Sequence, residues 1–544
     1  MLHNDSYFLF PIMALPAAAR STAQTTWVYD CKNRQKMNSA DQKSMMPSNL
    51  LLSAKLRLCL WYMLALTLFA RLIAMAVLPL TDATESRYGE IARKMLETAN
   101  WMTPQYSYGV PFWGKPPLST WLSAASMGVF GVNELAVRLP ALILGLGVLW
   151  LVWHLGTNRH NRDFSLLSIT TLSSLPLFFI ASGAVMTDAS LAFSTCLSFA
   201  AFWLALSATD NRKRIFWGYL FFAGQGLGLL AKGPVCGVLS LPPILLWTLT
   251  NGNQWRLLWN RLPWIKGTLL MLCIAAPWYI LAEHRTPGFF AYFIIGEHLG
   301  RFLVTGWGGD KYGHAHQAPL GMIWVYWIID VLPWSLIAVT WATQRLRSLK
   351  ILFQDTDGWT LYLLWWALWP MLFFSLAHNI LWTYTLTGLP AFALLLVEMW
   401  HRSLQGKGHN ADLPYRHRFW LLFTGPALAA LVASLLLVSP LSFVQETTQK
   451  FLAQKYLALR PSADSQLYYL FDRYYSAEFY TGGQAHHTDN FDDIRKLLAN
   501  HSRDFLAVNA RDAGKIPDDI IKHFQKVGKS GEILLLEENI SESD

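Results

Sequence analysis

Runs of about 18–22 apolar residues recur from residue 57 to residue 439, each long enough as a helix to cross a hydrocarbon core of about 30 Å. They predict spans near 57–79, 138–157, 164–181, 188–207, 214–231, 234–250, 266–282, 319–343, 359–376, 380–400 and 419–439. Strands of an outer-membrane barrel are only about 10 residues long, so these lengths exclude that class. The basic residues favour one side. Arg159 and Arg162, then Arg212, Lys213 and Arg214, then Arg256, Arg261 and Lys266 lie there, as do Arg345, Arg347 and Lys350, and Arg402, Lys407, Arg416 and Arg418. The short loops near 182–187 and 377–379 carry no Lys or Arg. The positive-inside tendency then predicts about eleven or more helices, a cytoplasmic N-terminal side, and outward loops at 81–137 and 283–318.

The pattern changes at both ends. Residues 1–50 are polar and irregular, with Met37, Met45 and Met46 among them; they read as a disordered tail or as residues ahead of the true start. Residues 51–440 form the membrane body. From 441 to 544 the chain is polar, with short buried strands expected at Leu467–Phe471, Phe505–Val508 and Ile533–Leu536, and amphipathic helix pieces at Ile494–Leu498 and Ile520–Phe524. The expected fold is an all-α polytopic membrane protein with a small C-terminal α/β soluble domain on the outward side. No internal repeat of the kind common in transporters is visible.

Composition agrees. The chain is 53% hydrophobic and only 15% charged, against about 25% charged in a soluble domain. Its net charge of +9 does not indicate nucleic acid, because the basic residues sit in short loops between spans. Of the five cysteines, Cys59, Cys196, Cys236 and Cys273 lie in or beside apolar segments and Cys31 in the N-terminal tail. They read as small core residues rather than disulfides or metal ligands.

The first outward loop carries the densest chemistry. Residues 81–118 hold Asp82, Glu85, Arg87, Tyr88 and Lys115 beside Trp101, Phe112 and Trp113. Residues 85–98 have Ile91, Met95 and Leu96 on one face, as an interfacial helix would. Leu118–Phe130 is too short to span and is placed along the interface as well. Asp82-x-x-Glu85 ahead of that helix is also a capping-box-like start, in which Asp82 bonds the first-turn amides.

Several stretches, in order, resemble the bacterial relatives of the protein O-mannosyltransferases, most closely the aminoarabinose transferases that modify lipid A. They are Thr81–Met95, Phe112–Pro117, Met186-Thr187-Asp188, Gly226–Pro234, Pro277–Phe302 ending in Glu297-His298-Leu299-Gly300-Arg301-Phe302, and Phe373–Pro390 with Thr383-Tyr384. The resemblance covers about residues 57–400. It implies a GT-C glycosyltransferase fold and a transferase of the bacterial inner membrane. Such an enzyme moves a sugar from a polyprenyl-phosphate donor to lipid A, another envelope glycan or a protein at the periplasmic face. The implied partners are the lipid-linked donor, a lipid or glycan acceptor and membrane lipids, with no nucleic acid.

That chemistry needs cations where charge builds on the departing phosphate, and an oriented acceptor that loses a proton if it is a hydroxyl. Lys115, Lys232 and Arg301 are the candidate phosphate clamp, Arg as a fork and Lys as a point charge; snorkelling anchors are the plainer reading. Asp82 and Glu85 are the candidate catalytic acids, with Arg87 orienting them. The resemblance adds Asp188, which also suits a cap for the next span, His298 toward donor or phosphate, and Tyr384 toward donor or phosphate. The His486-His487 pair reads as solvated. Two departures stand out. The family's first-loop motif has adjacent acids, and here Thr84 replaces the first while Glu85 keeps the second. The family also has Glu before its Lys-Pro, where a metal binds with the loop histidine; Gly114 in that place disfavours a divalent metal, and no cofactor is assigned. The competing class, a flippase or transporter for a lipid-linked sugar, expects charges buried within spans, whereas the distinctive charges here fall in outward loops.

Overall fold

A computed structural model describes residues 52–251, 255–304, 306–313, 317–344, 357–405, 446–462, 464–500 and 502–539. The expected N-terminal tail and the span at 419–439 lie outside the described residues. Among the described residues, five helices are long and apolar enough to cross a membrane: Ala54–Val77, Glu134–Arg159, Thr187–Ser207, Trp264–Arg285 and the composite Trp382–Arg402. Asn211–Lys232, Val235–Thr250 and Trp359–Phe374 occupy three further expected spans. The chain is a multi-pass, mostly helical membrane protein.

Proline sets where the prediction of unbroken spans fails. The run at 164–181 is two helices, Arg162–Ser173 and Pro176–Ala181, because Pro176 cannot donate to the preceding turn and starts a new helix at its first position. The run at 319–343 divides into Met322–Asp330 and Trp334–Gln344 around Pro333 for the same reason. The last described span opens as a 3₁₀ turn, Trp382–Gly388, and then continues as Leu389–Gln405.

Thr187–Ser207 is the central post. Its most apolar window is 94% buried, against 22% for Trp264–Arg285, which leaves the latter facing outward. The post is rich in Ala and Ser, and neighbours approach closely: a Cβ on Gly224 would stand 2.5 Å from Ser198 Oγ. Aromatic rings fill the space toward Trp359–Phe374, with Phe199 stacked on Trp366 at 4.4 Å and Tyr362 Oη donating to the Phe199 carbonyl at 2.7 Å.

The first outward loop folds into Thr84–Thr98, a two-stranded ribbon of β1 (Gln105–Ser107) and β2 (Val110–Pro111), and Leu118–Phe130. The helix expected along the interface at 85–98 is instead enclosed by protein as Thr84–Thr98. Ser86 and every residue from Tyr88 to Met95 are buried, so protein surrounds the helix on all sides. Ile91 and Met95 join Phe112, Val137 and Phe479 in one apolar cluster.

The C-terminal residues form a five-stranded mixed sheet. Its strands are β3 (Leu467–Leu470), β4 (Ala485–Thr488), β5 (Phe505–Asn509), β6 (Phe524–Ser530) and β7 (Ile533–Glu538), in the order β4-β3-β5-β7-β6. β3 runs parallel to β4 and β5, whereas β7 is antiparallel to β5 and β6. Alternate residues face two cores: Leu467, Tyr469, Phe505 and Leu535 pack on Leu452 and Tyr456, while Leu470, Leu506 and Leu536 pack on Ile494 and Ile520. The three expected strands are present. β4 and β6 were not expected, because both are polar edge strands with too few apolar positions to signal alternation. His486 and His487 lie in β4, and Phe524 opens β6 rather than ending a helix, which spans only Asp518–Ile521.

A short helix of this region, Tyr475–Tyr480, clamps the first loop. Glu478 takes Lys94 Nζ at 2.6 Å and Arg473 Nε at 2.6 Å, and Tyr480 Oη accepts from Leu80 N at 2.8 Å. Arg93 closes the network on Glu90 at 2.7 Å. These buried charges are tolerable because each is paired and hydrogen-bonded.

Candidate active site

Glu297 is the hub. It lies in a π-helix, Ala291–Gly300, one of the wider helical turns often found at functional sites. Its Oε2 accepts from Lys115 Nζ at 3.0 Å and from Arg301 Nη1 at 3.1 Å, and its Oε1 from Tyr292 Oη at 3.0 Å. Burial pushes this carboxyl up, but the Lys115 and Arg301 charges and the hydrogen bonds from Lys115 and Tyr292 outweigh it and hold it at about 2. Arg301 reaches Asp310 at 3.5 Å as well. Lys115 is delivered by the loop after β2, which is pinned where Trp113 N donates to Tyr312 Oη at 2.9 Å and Trp113 Nε1 to Thr286 Oγ1 at 3.1 Å.

Lys232 and Asp188 form the second half. Lys232 ends Asn211–Lys232, Asp188 stands in the first turn of Thr187–Ser207, and their side chains meet at 2.7 Å. The expected Asp188 cap is absent, since the carboxylate is turned to Lys232 instead. The Lys232 ammonium lies 4.7 Å from the centroid of the Tyr384 ring, which the 3₁₀ turn presents. His298 joins the halves, with Nδ1 at 2.7 Å from the Phe293 carbonyl and Nε2 at 3.2 Å from the Lys232 carbonyl. Burial, with Lys115 nearby, pushes the His298 imidazole down. Lys115, Lys232, Arg301, His298, Asp188 and Tyr384, scattered over the sequence, thus share one centre.

Asp82 and Glu85 make their contacts elsewhere, and Arg87 meets the edge of the centre only through Tyr312. Asp82 takes Ser86 Oγ at 2.6 Å, Ser476 N at 2.9 Å and Ser476 Oγ. Burial pushes its carboxyl up, and the bonds from Ser476 and Ser86 oppose that. It does not cap the helix as the capping-box reading expects: the cap residue is Ala83, without a side-chain bond. Glu85 is held bidentately by Arg138, Nε at 2.8 Å and Nη2 at 2.7 Å, and accepts from Val185 N at 3.2 Å. Arg87 does not orient either acid. Its Nη1 donates to the Tyr312 carbonyl at 2.6 Å and its guanidinium lies 5.5 Å from the Tyr88 ring centroid.

Arg138, Tyr292, Glu297 and Asp310 were missed by the site reading. Arg138 had a usable signal, a lone Arg beside an apolar run. Glu297 stood next to His298 and one helical turn from Arg301. Tyr292 and Asp310 had none.

A metal does not suit these residues. Both His298 nitrogens face backbone carbonyls, and Glu297 is committed to two cations. A Cβ on Gly114 would stand 2.8 Å from the Phe112 ring and 3.3 Å from Tyr312, which leaves little room for the family's glutamate.

Residues 53–293 match the model of the dolichyl-phosphate-mannose-protein mannosyltransferase family. The undecaprenyl phosphate-alpha-4-amino-4-deoxy-L-arabinose arabinosyl transferase of Aeromonas salmonicida is 28% identical over 71% of this chain and 67% of its own length. The protein of the same name from Erwinia tasmaniensis is 28% identical over 62% of this chain and 59% of its own. The crystal structure of ArnT from Cupriavidus metallidurans bound to undecaprenyl phosphate superposes with a TM-score of 0.69 at 19% identity, covering 88% of this chain and 97% of that one. The chain is similar to the protein O-mannosyltransferase family and to the aminoarabinose transferases, and it shares the fold of that ArnT structure. The resemblance read from the motifs is thereby confirmed, and the helical body is the GT-C fold. The chain spans between 59% and 67% of the length of the two named curated relatives.

Proposed function

We propose that the protein is an inner-membrane glycosyltransferase that moves a sugar from a polyprenyl-phosphate donor to lipid A, another envelope glycan or a protein at the periplasmic face. The observation that carries this reading is the meeting of Lys115 and Arg301 on one Glu297 oxygen, beside Lys232 and Tyr384. When the donor phosphate arrives, the cations exchange carboxylate for phosphate and stabilise the charge left on the isoprenoid carrier. His298 and Tyr384 line the donor side, and Asp188 orients Lys232.

The acids favour an acceptor that is already ionised, such as a lipid A phosphate. A hydroxyl acceptor needs a base within hydrogen-bond reach. Asp82 and Glu85 were the candidates, yet each is spent on folding contacts, with Ser476 and with Arg138. A phosphate nucleophile needs no base, and the two acids then act by holding the first loop in place. The same reading has about eleven spans, a cytoplasmic N-terminal side, a membrane body over residues 51–440 and a periplasmic soluble domain over 441–544.

Purified protein supplied with labelled polyprenyl-phosphate sugar and lipid A tests this. Transfer of label to lipid A, lost in Lys115→Ala and Arg301→Ala, supports the reading. Carrier movement across the bilayer without sugar release refutes it.

A further inference from the structure

The centre as built is electrically balanced. Lys115, Lys232 and Arg301 face Glu297, Asp188 and Asp310, three charges against three. A donor phosphate can take over cations from these carboxylates, but a second anion entering a balanced, half-buried site gains little attraction. An ionised acceptor therefore needs cations of its own.

Two border the centre without a carboxylate partner among the described residues. Arg87 has a backbone carbonyl and an aromatic ring as its partners, and its Nε is buried with no hydrogen-bond acceptor. Lys311 is exposed, with its ammonium 4.3 Å from the Trp113 ring centroid and 5.3 Å from that of Tyr292. Both are tied to Tyr312: Arg87 bonds its carbonyl, and Lys311 precedes it. Trp113 stands two residues before Lys115, and Tyr292 donates to Glu297, so the two rings connect the Lys311 ammonium to the phosphate clamp. Stacking on rings neutralises none of its charge.

We propose that Lys311, with Arg87 behind it, seats the anionic group of the acceptor, a phosphate monoester, at the rim of the centre. This rests on the transferase reading and adds a second anion site distinct from the donor clamp. Arg87 supplies a half-buried guanidinium held by its Nη1 on the Tyr312 carbonyl, and Lys311 an exposed point charge that meets the acceptor first.

The test uses the full-length protein in lipid nanodiscs, with hexa-acyl lipid A bearing both phosphates and the same lipid A enzymatically dephosphorylated. Lys311→Glu is expected to raise the acceptor KM roughly tenfold. It should weaken direct binding of the phosphorylated lipid by a similar factor, leave the Kd for undecaprenyl phosphate within about twofold, and be largely reversed by Lys311→Arg. Wild type should bind the dephosphorylated lipid about as weakly as the variant binds the phosphorylated one. The inference is overturned if Lys311→Glu binds phosphorylated lipid A as wild type does, if it loses undecaprenyl phosphate equally, or if wild type does not distinguish the two lipids. Should Lys115→Ala and Arg301→Ala also transfer normally, the transferase reading falls with it; if they are inactive while Lys311→Glu is silent, only the rim site is wrong.

Discussion

Glu297→Gln is the most informative single change. The side chain is 3% exposed and its two cations about one-fifth exposed, so solvent screens the cluster little. Its carboxyl is held at about 2 against an ordinary 4.5. At about 1.4 kcal/mol per factor of ten in proton affinity, the gap corresponds to about 3 kcal/mol of stabilisation. Because the folded value is the lower one, that stabilisation is complete above about pH 4.5 and is lost as pH falls toward about 2. The amide keeps the shape but leaves Lys115 and Arg301 without a counter-charge. The thermal midpoint of the variant at pH 7 should fall by several degrees, and its acid-induced loss between pH 4.5 and 2 should flatten. Undecaprenyl phosphate should restore the variant more than it stabilises wild type, because phosphate then supplies the missing charge; a ligand at a hundred times its Kd contributes about 2.7 kcal/mol. The assay is thermal unfolding in detergent across pH, with and without that lipid. An unchanged midpoint, or equal stabilisation of both proteins by the lipid, would refute the description of Glu297 as a stand-in for the donor phosphate.

The other predictions concern the clamp and its supports. Lys115→Ala and Arg301→Ala should each lower kcat by about a hundredfold or more while expression persists, read from release of labelled sugar. Glu85→Gln should destabilise by about 3–5 kcal/mol by leaving Arg138 buried and unpaired, and Asp82→Asn by about 1–3 kcal/mol; comparing their unfolding midpoints checks the order. With a phosphate acceptor, both should keep most activity per folded molecule, and a selective loss in either would restore that acid as a base. Gly114→Glu should lower the midpoint by about 1–3 kcal/mol equivalent by overpacking Phe112 and Tyr312, and added divalent cation should not recover it.

Much of this molecule was legible from residue order, because some properties are local. The length of an apolar run determines whether it can span, so most spans appear where hydropathy places them. Short continuous apolar runs of four or five residues revealed β3, β5 and β7. Lys115, Lys232 and Arg301 could be nominated from their places in outward loops near span ends, and His298 and Tyr384 from the family resemblance. Their meeting could not. Glu297 becomes the hub only when the loop after β2 and the π-helix are brought together, and Asp82 and Glu85 are spent only once Ser476 and Arg138 arrive from distant segments. A carboxylate's role depends on what surrounds it, and those surroundings are supplied by packing between helices far apart in sequence. Chain order determined which side chains were available; tertiary contact decided which cations met at the centre and which acids were committed elsewhere.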